Sequence, residues 1–158
     1  MSECRVGAKA RHLESKLPPL SIVVMERPPT IKNEPKWIKD CTKIRARASE
    51  LVDGKISLIE AALAFEKLAI WTHAQSDPDL SLFKRIIDDL SGLPIGSERS
   101  HWAAHALARE DVKIKAVVDK WQHRGLDAAS RLVNRYAWSL EARAGLRSAG
   151  HHDNDYPQ

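Results

Sequence analysis

Ile56-Ser57-Leu58-Ile59-Glu60-Ala61-Ala62 opens a helix that runs to about His73. Ser57 and Glu60 have the spacing of a capping box, in which the hydroxyl and the carboxylate each accept from the other residue's backbone N–H. Leu58, Ala62, Phe65 and Ala69 recur on one face, with Ile59, Leu63 and Ile70 beside them. A stripe that wide serves two neighbours, so this helix is expected to be central.

The same reasoning extends in both directions. Upstream, Asn33 and Pro35 form a helix start, Trp37, Cys41, Ile44, Ala48 and Leu51 follow at steps of four and three, and Gly54 supplies the stop. Downstream, Asp77-Pro78-Asp79 combines a capping side chain, a proline at the first position and acidic charge at the positive helix end. That third helix carries Leu82, Phe83, Ile86, Ile87 and Leu90 and ends at Gly92. After the short Leu93-Pro94-Ile95-Gly96 loop, Ser97 or Ser100 caps a brief helix with Trp102, Ala106 and Leu107 that breaks near Arg109. A further helix carries Val112, Ile114, Val117, Val118 and Trp121 to a stop at Gly125, and the last runs from Asp127 to about Arg147 with Leu132, Val133, Tyr136 and Leu140 inward.

The expected fold is all-α: a compact antiparallel bundle of five to six helices over residues 35–149. Residues 1–34 hold four of the eight prolines and read as a poorly ordered basic arm, with a short helix over Ala8–Lys16 and a hint of a strand over Ser21–Met25. Met25, followed by Glu26 and Arg27, is an alternative start. Residues 150–158 read as a disordered polar tail.

Composition bounds the function. A chain of 158 residues folds as one domain without needing disulfides or metal. Cys4 and Cys41 stand in unlike segments, which points to a reducing, cytoplasmic setting. Leu17–Met25 is too short to span a bilayer and is interrupted by Pro18 and Pro19. Charge is uneven: residues 1–47 carry net +6, residues 48–100 net −4 and residues 101–158 net +2. A basic arm suits nucleic acid or an acidic partner, and an acidic middle suits a basic one.

Catalytic signatures are weak. His101 and His105 stand at i and i+4, a metal-binding spacing on one helix face, but Trp-Ala-Ala between them leaves no general base and no third ligand is placed. Asp88 and Asp89 are adjacent and point about 100° apart, so they cannot serve one site unaided. Neither a phosphate-binding loop nor an activated nucleophile is present, and no cofactor is expected. Arg124, Arg131 and Arg135, with Arg143 and Arg147, make a basic stripe that supports a second reading as a nucleic-acid-binding regulator using the arm and the last helix. A third reading is a metal protein or enzyme built on His101 and His105.

The residues from Gly54 to Ala62, then Asp77-Pro78-Asp79 with Phe83, then Leu93-Pro94-Ile95-Gly96 with Arg99 and Trp102, resemble an uncharacterised family of small bacterial helical proteins, a domain of unknown function. The likeness covers roughly residues 45–125 and departs at Ala61, where glycine often follows the Ile-Glu pair. Some proteins of this general kind accompany toxins as immunity partners. The resemblance implies no catalytic residues.

The leading expectation is therefore a non-enzymatic protein-binding module of the immunity or antitoxin type, whose partner is a protein such as a toxin. Its contact residues are taken as Asp79, Asp88, Asp89, Leu93, Ile95, Glu98, Arg99 and Trp102, because a rigid loop presenting Arg and Trp beside acidic charge has the composition of a binding hot spot. No contact with a membrane is expected.

Overall fold

The computed structural model describes residues 24–149. The described chain is all-helical: α1 (Glu34–Val52), α2 (Leu58–Trp71), α3 (Pro78–Asp89), a 3-10 turn (Ser97–His101), α4 (Ala104–Arg135) and α5 (Trp138–Ala149). Each of the first three helices packs on the next and α4 returns to α1, so the four enclose the core, while α5 lies on α1.

The starts follow the local chemistry. Asn33 accepts from Lys36 N–H, Asp77 accepts from the N–H of Asp79 and Leu80, and both halves of the Ser57–Glu60 box are formed. The stripes of α1 and α2 turn inward as spaced: Trp37, Cys41, Ile44, Ala48 and Leu51 are buried, as are Leu58, Ala62, Phe65 and Ala69. Phe65 and Phe83 meet at 4.6 Å between ring centres and join α2 to α3. No helix among the described residues is long and apolar enough to cross a membrane.

The second half departs from the sequence expectation. The breaks near Arg109 and at Gly125 do not occur, and α4 runs unbroken for 32 residues. Arg109 is no helix breaker, and the Lys113–Glu110 and Lys115–Asp119 ion pairs support the helix just beyond it. Gly125 is a buried interior residue, and a Cβ placed there would stand 2.6 Å from Leu58 Cδ1. Its small size serves the close approach of α4 to α2. The chain turns instead at Tyr136, whose N–H donates to Leu132 O. Leu132 and Tyr136 are buried as expected, but Leu140 is exposed. The suggested helix over Ala8–Lys16, most of the suggested strand at Ser21–Met25 and the tail from residue 150 lie outside the described residues.

Candidate functional site

The loop after α3 is tied to itself and to α4. Pro94 is fully buried, while Leu93 and Ile95 are partly buried against the core. Glu98 Oε1 accepts from the backbone N–H of Ile95 and of Gly96, each at 3.1 Å. Bonds from its own N–H and those of Gly96 and Ile95, with Arg99 adding, hold the Glu98 carboxyl below the usual carboxylate range. Gly96 is not in a left-handed conformation; a Cβ there would meet Glu98 Oε2 at 2.6 Å and push that carboxylate off its donors.

Arg99 completes the brace. Its guanidinium donates to both carboxylate oxygens of Asp111 on α4, at 2.7 and 3.1 Å, and to the carbonyl of Pro94 at 2.9 Å. A planar fork that satisfies a carboxylate and a carbonyl at once fixes the loop on the helix. Arg99 therefore holds shape rather than waiting unpaired for a partner.

Beyond the loop, the first half of α4 is thinly covered. No residue from 104 to 120 is buried, although Leu107, Ile114, Val117 and Val118 form an apolar stripe that is only partly covered. Val112 is 70% exposed and Trp102 is 41% exposed. The sequence reading grouped Val112 with the inward stripe, but two residues from Ile114 is about 200° of helix rotation, which puts it on the outer side. That phase was the available signal. Because Trp102 is partly open, Trp102→Ala is expected to cost about 2 kcal/mol or less rather than the 3 or more of a core indole. Chemical denaturation of the variant beside the parent measures it, and a loss near 3 kcal/mol would show that the ring is held as core.

The remaining residues chosen from sequence separate. Asp79 is buried, and Arg131 Nε and Arg135 Nη2 donate to it at 3.0 and 2.6 Å, while Arg135 Nη1 donates to Asp77 at 2.6 Å. Burial opposes ionisation of Asp79, yet the bonds from Arg131 and Arg135 outweigh it and hold the carboxyl below its usual range. Asp88 pairs with Lys84 at 2.7 Å on its own helix. Asp89 points the other way, accepting from Lys120 Nζ at 2.9 Å and from the Trp121 indole N–H at 2.7 Å. Of the nine acids in residues 48–100, Asp77, Asp79 and Asp89 thus meet cations of α4. The same network occupies Arg131 and Arg135, two members of the basic stripe proposed for nucleic acid.

The two histidines do not share a helix face. His101 ends the 3-10 turn, and Trp102 and Ala103, in extended conformation, separate it from His105 in α4. Among the described residues no three His, Cys, Asp or Glu side chains gather as a metal site. Burial, with the Asp40 carboxylate adding, pushes the Cys41 thiol up to about 12, so it stays protonated at neutral pH and is no nucleophile.

A cleft of about 290 Å³ opens where residues 25–28 cross the ends of α2 and α4, with Trp37, Cys41 and Tyr136 among its apolar lining and His73 and Asp77 among its polar lining. His73 takes a left-handed backbone (φ 54°), and the His73 and Ala74 N–H groups close the end of α2 onto the Ile70 and Ala69 carbonyls. Its Nδ1 lies 2.7 Å from Thr30 Oγ1, which pins the crossing segment. No sequence signal marked this position, since glycine usually holds it. Arg135 and Tyr136 both donate to Asp77 there, so the cleft offers shape more than reactive chemistry.

Comparison of the chain with protein-family models, with curated proteins and with solved structures finds no match.

Proposed function

We propose that this chain is a cytoplasmic, non-catalytic protein-binding module of the immunity or antitoxin kind, and that it meets its partner through the loop Leu93–Trp102 and the first half of α4. The observation that carries the reading is a braced loop beside a half-helix that has no buried residue and leaves Trp102 at its entry and Val112 on its outer side open. Shape fixed before association lowers the ordering cost of binding, and Trp102 and Val112 supply apolar area for a partner to bury. Leu93, Ile95, Glu98 and Arg99 then act by shaping this surface. Asp79 is a strut inside the fold, Asp89 is paired with Lys120 at the end of this surface, and Asp88 is turned away from it toward Lys84.

Val112→Arg tests the surface. At 70% exposure the replacement leaves the fold intact, whereas a guanidinium set into an apolar contact weakens it at least about tenfold, equivalent to roughly 1.4 kcal/mol. The parent chain, immobilised and offered the products of its neighbouring genes, is expected to retain one of them in stoichiometric amount, and the variant to lose it while melting like the parent. Equal retention by both chains removes this surface, and retention of nothing by the parent removes the reading itself.

A further inference from the structure

The outer face of α1 joins an exposed indole, and the two together have the makings of a site that the partner-binding reading does not use. Lys43 and Arg47 follow Lys36 by seven and eleven residues, close to whole turns, so the three share one side of α1 with Lys39 beside them. All four are exposed. From Lys36 to Arg47 this ridge extends roughly 16 Å at about 1.5 Å per residue. At its start stands Trp71, the last residue of α2, which is 51% exposed and has Lys36 Nζ and Lys43 Nζ over its ring, 5.5 and 5.9 Å from the ring centre. The neighbouring Ile70 is also open, at 54%.

A half-buried indole at a helix end would be unremarkable without those lysines. Their placement is fixed from below by Asp40, which pairs with Lys36 at 2.7 Å and with Lys43 at 3.3 Å. Asp40 is almost wholly buried, so it orders the two ammonium groups without standing in front of them. Arg47 is paired with Glu50. The surface thus holds an aromatic face, two positioned cations against it and two more along the same helix.

We infer that this ridge binds single-stranded nucleic acid, with a base stacked on the open part of the Trp71 ring and the adjoining phosphates held by Lys36, Lys39 and Lys43. An aromatic platform beside a track of cations matches the two needs of an unpaired strand, a planar surface for a base and positive charge for its backbone. An acidic peptide meets the lysines but gives the ring no planar partner. The inference stands apart from the protein-partner surface, which uses α4 and the loop before it, and from the Arg131–Arg135 stripe, which Asp77 and Asp79 occupy.

The test is anisotropy of a fluorescein-labelled, mixed-sequence single-stranded oligonucleotide, DNA and RNA in separate arms, titrated with the full chain at low salt. Binding is expected to weaken steeply with added salt, with Lys39→Gln lowering the logarithmic salt slope by about 0.7. Trp71→Leu keeps apolar bulk but removes the stacking face, and is expected to weaken binding about tenfold while Trp71→Tyr keeps most of it. Thermal melts of each variant separate lost binding from lost folding. Polyphosphate and poly-glutamate are expected to compete weakly. The inference is overturned if the parent binds no oligonucleotide, if folded Trp71→Leu binds as tightly as the parent, or if either base-free polyanion competes as well as the oligonucleotide.

Discussion

Arg135→Ala is expected to cost about 3 kcal/mol of folding stability, at the lower end of the range for breaking a buried ion pair. The Arg135 guanidinium is the link between two carboxylates at the start of α3, donating at 2.6 Å to each. The side chains of Asp77 and Asp79 are nearly buried, at 8% and 7% exposure, so neither regains full hydration when its partner goes. Arg131 remains on Asp79 at 2.8 Å and limits the loss. Asp77 keeps its capping bonds to the N–H of Asp79 and Leu80 and a long bond from the Tyr136 hydroxyl at 3.4 Å. Arg131→Ala is expected to cost less than half as much, since that side chain is more than half exposed and holds only one carboxylate. Arg135→Lys falls between, because the ammonium keeps the charge but lacks the planar fork whose two separate nitrogens meet the two acids at 2.6 Å each.

The same network makes the fold acid-sensitive. Asp79 has a folded pKa below its ordinary 3.8, so the stability it contributes is complete above that value and is lost as pH falls through the lowered one. Removing Arg135 raises the folded pKa back toward the ordinary range, so the variant loses less further stability on acidification below about pH 3.8. Urea unfolding of the three variants at pH 7, repeated down the acid range for Arg135→Ala, checks both statements. Equal losses below about 1 kcal/mol for Arg131→Ala and Arg135→Ala would show that the network is a surface decoration.

These arginines mark where sequence reasoning stops. Asp77 was legible as a cap because an N-cap and its donors are neighbours along the chain, and the Ser57–Glu60 box was legible for the same reason. The apolar stripes of α1 and α2 were legible because burial repeats with the helix period. The pairing of Asp79 with Arg131 and Arg135 spans more than fifty residues, and neither periodicity nor capping chemistry carries information over that distance. Composition recorded an acidic middle and basic stretches, but only the packing of α4 on α3 shows that Asp77, Asp79 and Asp89 meet cations of α4. The loop was picked out by its apolar residues and its proline, yet the roles of Glu98 and Arg99 as braces needed the position of Asp111. Exposure of Trp71 was invisible for a related reason: its place on the helix period does not say that α1 ends its cover there with lysines.

Gly125 shows most directly how one residue type admits two physical readings, and substitution distinguishes them. A glycine that stops a helix needs left-handed backbone, so alanine and valine are both strained there and cost similar amounts. A glycine that admits a neighbour is limited by volume, and its cost rises with each added carbon. In this fold a Cβ on Gly125 meets Leu58 Cδ1 at 2.6 Å, with Phe83 Cε1 next at 3.9 Å. Alanine brings about 1 kcal/mol of helix propensity and demands that one leucine methyl shift, so Gly125→Ala is expected to lie within about 1 kcal/mol of the parent. Valine adds two further methyl groups to a contact in which Leu58 and Phe83 are both buried, and overpacking outweighs the gain, giving a net loss of about 3 kcal/mol. The volume reading also requires coupling: Leu58→Ala removes the clashing methyl, so the double variant Gly125→Val with Leu58→Ala should be more stable than the sum of the single losses implies, by at least about 1 kcal/mol. Denaturant midpoints of the four proteins give the cycle. Equal costs for alanine and valine, or a cycle that closes to zero, would return Gly125 to the role of a helix stop and with it divide α4 in two.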